Sequence, residues 1–172
     1  EAPAYVQAIA AAGATVAEDP CPLWPDAAFT ALQTDAAIPI LVDRNCTSLQ
    51  DAQAFLDKGA TALSTKPGRI GLSEARAIHA YASRRGAKVA VGLYAESALG
   101  TLISLQQAAT LPAQDALVAA EQTFFLEITG QVVSAPLPIR HGKALLPDNP
   151  ALATVIDWDR VRHFALPGVT VH

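Results

Sequence analysis

Five short apolar runs, each closing on an ionisable residue, recur along the chain and constrain its fold more than any other feature. They end at Glu18, Asp43, Lys66, Glu96 and Glu121, at intervals of 25, 23, 30 and 25 residues. Each interval holds one strand, one helix and two loops. The strand runs are Ala14–Ala17, Ile38–Val42, Thr61–Thr65, Lys88–Leu93 and Leu117–Ala120. Helical stretches lie between them. Ala2 to Ala12 ends at Gly13, where a C-terminal glycine belongs, and a second helix runs from about Asp26 to Gln33. Ser48, with Asp51 three residues on, reads as a capping box opening a helix to Lys58, which Gly59 stops. Ser73 opens a helix to Arg85, stopped by Gly86, and Ser97 to Ala109 is helical.

Short strands alternating with helices require parallel pairing with helical crossovers. The fold expected is α/β, a partial (β/α)8 TIM-type barrel of about five βα units. Residues 1–125 form the barrel part. Residues 126–172 form a C-terminal helix and tail, closing the barrel or packing on a capping domain outside the chain. In parallel α/β folds, ligands bind at the C-terminal edge of the strands, where all five ionisable residues fall. No GxGxxG and no P-loop follows any strand, so nothing cradles a nucleotide phosphate. Carboxylates in those positions favour a metal site.

Composition narrows the partners. With 51% hydrophobic residues, the chain is neither disordered nor short of a core. A net charge of −4 supplies no basic excess for nucleic acid or an anionic membrane. The apolar stretch from Ala87 to Leu111 is broken by Lys88 and Glu96 and is no membrane span. Two cysteines without a CxxC, and no secretory signal, point to a reducing cytoplasm. The start at Glu1, directly inside a helical pattern, suggests a chain that begins mid-protein.

Four segments carry a resemblance: Ala17–Glu18–Asp19–Pro20, Val42–Asp43–Arg44–Asn45, Lys66–Pro67–Gly68–Arg69–Ile70–Gly71, and Tyr94–Ala95–Glu96–Ser97 followed by Gly100. In this order and spacing they resemble the second half of an enolase-superfamily enzyme of the muconate lactonizing enzyme and mandelate racemase type. The resemblance implies Mg²⁺ (or Mn²⁺) with Glu18 and Asp43 as two of its three carboxylate ligands. It implies Lys66 as an acid–base catalyst and Glu96, beside the substrate, as a second catalytic residue; the substrate is a small carboxylate. The chemistry is coherent: removing a proton next to a carboxylate leaves two negative charges on oxygen. A hard cation held by carboxylates neutralises that charge. A lysine near a cation is disfavoured in its charged form, so it can act as a base.

The sequence departs from the family pattern in several places. A first metal carboxylate, a Lys-x-Lys motif and a capping domain would precede residue 1. Arg44–Asn45 stand where the family often has Glu-Ser, and Arg44 puts a cation next to a metal ligand, which either alters substrate choice, as a substrate-binding candidate, or disfavours the metal; Glu121 is another substrate-binding candidate, facing the mouth. Asn149–Pro150–Ala151–Leu152–Ala153 lacks the glycines frequent there in cycloisomerases.

Plainer readings stand beside these. Glu18 reads also as a polar turn residue, Asp43 as a turn cap, Lys66 as a solvated turn lysine, and Glu96 as a cap on the following helix. Cys21 and Cys46 read as small buried thiols, and His79 as a mid-helix surface residue. His141, His163 and His172 have no ligand spacing. Three activities follow: a metal-dependent enolising enzyme (cycloisomerase, racemase or dehydratase), a Schiff-base aldolase-like barrel using Lys66, or an inactive half-barrel serving as a structural or assembly subunit. Five units of an eight-unit barrel leave open strand edges and an uncovered inner face near Val16, Ile40, Leu63 and Val89. A homo-oligomer or a complementing N-terminal polypeptide is therefore expected.

Overall fold

The computed structural model describes residues 1–149 and 151–170; Pro150, in the segment singled out above, and His172 lie outside the described residues. Along the chain, α1 (Ala2–Ala11) leads to β1 (Ala17–Glu18), α2 (Ala27–Asp35), β2 (Ile40–Val42), α3 (Leu49–Asp57) and β3 (Ala62–Thr65). The short α4 (Pro67–Ile70), then α5 (Leu72–Arg84), β4 (Lys88–Val91) and α6 (Ala98–Ala109) complete the repeat. The four strands pair in the order β1-β2-β3-β4, all parallel. The helix ends follow the capping rules: Asp26 accepts from the Phe29 N–H and Ser48 from the Asp51 N–H. Gly71, at φ +84°, joins α4 to α5, so the helix expected from Ser73 is preceded by a separate turn.

Strand periodicity sorts the side chains onto two faces. Ala17, Ile40, Val42, Leu63 and Val89 pack on the helices, against Val6, Phe29, Leu32, Phe55 and Ile78. Phe29 and Phe55 meet edge to face, with ring centres 5.1 Å apart. The opposite face carries Leu41, Ala62 and Ala90, flanked by Val16 and Leu117. Of the four residues expected on the uncovered inner face, only Val16 is there. Ile40, Leu63 and Val89 belong to the helix-covered side, because register places each one residue out of phase with the inner set.

The fifth expected strand, Leu117–Ala120, is not a regular strand. It follows β4 through one bridge, Val89 with Ala116, and hydrogen bonds from Leu117 N–H to Val89 O and from Glu121 N–H to Val91 O. Four residues of this segment advance while β4 advances two, so the extra residues loop out. The observed architecture is thus an arc of four βα units plus this bulged edge, an α/β partial barrel.

Beyond it, β5 (Ile139–Arg140) and β6 (Lys143–Ala144) form a hairpin and α7 spans Trp158–Phe164. Phe125, Val133 and Leu137 pack with Ala98 and Leu102 of α6 as a second cluster. Among the described residues, no helix is long and apolar enough to cross a membrane.

Candidate functional site

The C-terminal ends of β1, β2 and β3 bring Glu18, Asp43 and Lys66 together. Inward positions alternate along each strand, and the next inward position after Leu41 is Asp43; after Ala62 and Ser64 it is Lys66. Lys66 Nζ lies 2.5 Å from Asp43 Oδ2, with the two side chains only 16% and 11% exposed. Arg69, from α4, places Nη2 2.9 Å from the Asp43 carbonyl, 3.2 Å from the Cys46 carbonyl and 3.4 Å from Asp43 Oδ1. Asp43 therefore has two cationic partners, and Arg69 also clamps the turn that follows β2.

Among the described residues, Glu18 has no such partner. Although Glu18 is exposed, its carboxyl is raised from its ordinary value, first by partial desolvation and then by the Asp43 charge; Lys66 opposes this, while Asp19 and Glu121 add to it. Glu18 and Glu121 line one cavity of about 290 Å³ on the inner face of the sheet, with Leu41, Ser64 and Gly92. Beside Glu18, the Asp19 carboxylate accepts from the backbone N–H groups of Asp43 (3.2 Å) and Arg44 (2.8 Å), tying β1 to β2.

Other candidates are placed differently. The Arg44 side chain is exposed and lines a separate cleft of about 400 Å³, with Asp19, Cys21, Leu23, Trp24 and Asn45. Glu96 is buried: Oε2 accepts from the Tyr94 N–H at 2.5 Å and Oε1 from Ser104 Oγ at 3.5 Å. It fills a slot between Gly68 and Gly100, where a Cβ on either glycine would stand 2.7 Å from it. Cys46 is fully buried, its thiol pushed up to about 12 by burial, which leaves it inert.

His79 corrects the surface reading: it is buried, with Nε2 2.7 Å from Thr65 Oγ1 and Nδ1 2.7 Å from Gln107 Nε2. Burial pulls it down to about 4. Sequence reasoning missed Arg69, Asp19 and His79 as holders of this edge. For His79 a signal existed, since Ala75, Ile78, His79 and Ala82 fall on one helical stripe.

Hard carboxylate oxygens suit a divalent cation, and the mutual repulsion of Glu18 and Asp43 is what such an ion relieves. Yet among the described residues no three His, Cys, Asp or Glu side chains converge on one point. Glu18 and Asp43 fit as part of a coordination shell, not as the whole of it.

Comparison with known proteins shows the family and the fold. A family profile described as "Enolase C-terminal domain-like" matches residues 1–160. A chloromuconate cycloisomerase of Cupriavidus pinatubonensis is 28% identical over 159 residues, 90% of this chain and 42% of that protein. A hydrophobic dipeptide epimerase of Citrifermentans bemidjiense is 32% identical over 121 residues, 70% of this chain and 32% of that protein. The crystal structure of 2-chloromuconate cycloisomerase from Rhodococcus opacus superposes with a TM-score of 0.82 at 33% identity, covering 92% of this chain and 43% of that one. The chain thus spans less than half the length of these relatives.

Proposed function

Because the chain belongs to the enolase C-terminal domain-like family, we propose that it carries the acid–base half of a metal-dependent enolising enzyme acting on a small carboxylate. The observation supporting this most directly is the Lys66–Asp43 pair beside the raised carboxyl of Glu18. Glu18 and Asp43 would hold a divalent cation, Mg²⁺ or Mn²⁺, with further ligands from outside this set. When bound, the cation supplies positive charge against the substrate oxygens as the α-proton leaves.

The rest of the chemistry belongs to the chain's own residues. Lys66, as a neutral amine, takes the α-proton; as an ammonium, it returns one. Asp43 retains Arg69 when Lys66 turns toward substrate, so that motion strands no buried carboxylate. Glu121 lies on the same cavity wall as Glu18 and contacts the substrate there. Arg44, in the neighbouring cleft, meets a more distant part of the substrate. Glu96 acts from its slot by holding the turn between β4 and α6. We place the enzyme in the cytoplasm, in keeping with its two unpaired cysteines.

The test is deuterium incorporation at the α-carbon of small carboxylates, in D₂O with Mg²⁺, on the chain assembled with a polypeptide that supplies the remaining ligands. Lys66→Ala and Lys66→Arg abolish exchange with circular dichroism unchanged, since guanidinium does not deprotonate near neutral pH. Exchange retained in either folded variant refutes the assignment. A borohydride-trapped carbonyl adduct on Lys66 would replace it with Schiff-base chemistry.

A further inference from the structure

We propose that Gly92 is a positioning residue for Lys66: its bare backbone is the bed across which the lysine stem lies to reach Asp43. The functional meaning rests on Lys66 being the acid–base group. Gly92 directly follows β4 and is buried. A Cβ built there would stand 2.8 Å from Lys66 Cε, 3.4 Å from Lys66 Cγ and 3.1 Å from Ser64 Oγ. Two atoms along the stem meet the same point, so the chain lies along the glycine rather than ending on it.

Gly92 does not have the positive φ that marks Gly71 and Gly86. Conformational freedom therefore does not account for a glycine here, and close approach does. Gln122, buried beside it, donates from Nε2 to the Gly92 carbonyl at 3.0 Å and fixes the level of this floor. The closest atom to an added methyl belongs to a flexible side chain, not to backbone. The lysine gives way: its stem lifts and Nζ leaves Asp43, while Asp43 keeps Arg69 and the fold persists.

The test follows the lysine ammonium groups of the full chain by ¹⁵N-edited NMR near pH 6, where an ion-paired ammonium exchanges slowly with water. The Lys66 signal is identified by its loss in Lys66→Ala. Gly92→Ala should speed exchange at Lys66 by about tenfold, the factor expected for losing a charge-assisted hydrogen bond, and leave Lys58, Lys88 and Lys143 unchanged. An unprotected Lys66 signal in the parent chain, or an unaltered one in folded Gly92→Ala, overturns the proposal. Should Gly92→Ala not fold, the double variant Gly92→Ala with Lys66→Ala decides: recovery of folding supports the clash with the lysine, and continued failure refutes it. The signal reports where Lys66 lies and needs no turnover, so its outcome stands apart from that of the α-proton exchange test of the enolising reading.

Discussion

Acidification should destabilise this protein through one buried imidazole. His79 is 6% exposed and held at both nitrogens, with Thr65 Oγ1 and Gln107 Nε2 each 2.7 Å away. The Gln107 amide nitrogen only donates, so His79 Nδ1 accepts and Nε2–H donates to Thr65. Protonating Nδ1 would set donor against donor, and burial lowers His79 from 6.5 to about 4. Between those values the unfolded chain binds a proton that the native chain refuses. The contribution is therefore complete above pH 6.5 and is lost as pH falls toward 4. A gap of this size corresponds to about 3 kcal/mol at 1.36 kcal/mol per unit, a large part of an ordinary domain's stability.

The assay is urea unfolding of the parent chain and His79→Gln at steps from pH 7.5 to 4. Glu18, whose carboxyl is raised, titrates with the opposite sign: its protonation favours the native state as pH falls. The comparison is thus made between the two chains at each pH, where this effect cancels. At pH 7 His79→Gln should cost about 1–2 kcal/mol for imperfect hydrogen bonds, and the difference should vanish or reverse near pH 4. Parallel stability curves across the range would refute the reasoning.

The remaining expectations concern the strand ends and the open edge. Asp43→Asn leaves Lys66 and Arg69 short of a partner and should lower stability by about 3 kcal/mol in denaturant unfolding. Glu18→Gln, which removes a carboxylate the fold disfavours, should leave stability at pH 7 unchanged or higher. Both variants should abolish Mg²⁺-dependent α-proton exchange, and activity surviving in both would remove the metal assignment. In a parallel ladder, the Ala17 and Asp19 bonds to β2 turn the N–H and C=O of Glu18 to the unpaired side of β1. Light scattering on the purified chain should accordingly report self-association, or a complex with a polypeptide that supplies further βα units. A monodisperse 17.9 kDa species would contradict this.

The sequence made the βα order and the cluster of Glu18, Asp43 and Lys66 readable for the same reason. A polar residue ending an apolar strand stands out locally, and parallel pairing then places successive ends side by side. Facing was less accessible: Ile40, Leu63 and Val89 are as apolar as the inner residues, and only inter-strand register distinguishes them. The last strand failed because nothing in Leu117–Ala120 announces two looped-out residues. His79 failed because its partners lie 14 and 28 residues away, although its place in the buried stripe of α5 was visible. Arg69 stood within a recognised segment, but its hold on Asp43 crosses 26 residues of chain.

Asp19 separates two obligations that neighbouring residues might have shared. Its backbone sits at φ +38°, a conformation costly to most side chains but tolerated by Asp and Asn. From there both carboxylate oxygens are engaged by the next strand end. Glu18 is left with no architectural duty. Changing the residue at 18 alters the reagent without loosening the mouth, whereas changing the residue at 19 loosens the mouth and leaves the reagent in place. Variation in chemistry and variation in scaffold can thus proceed independently at adjacent codons, and a mutational scan should find position 18 permissive for folding and position 19 restricted to Asp, with Asn next best.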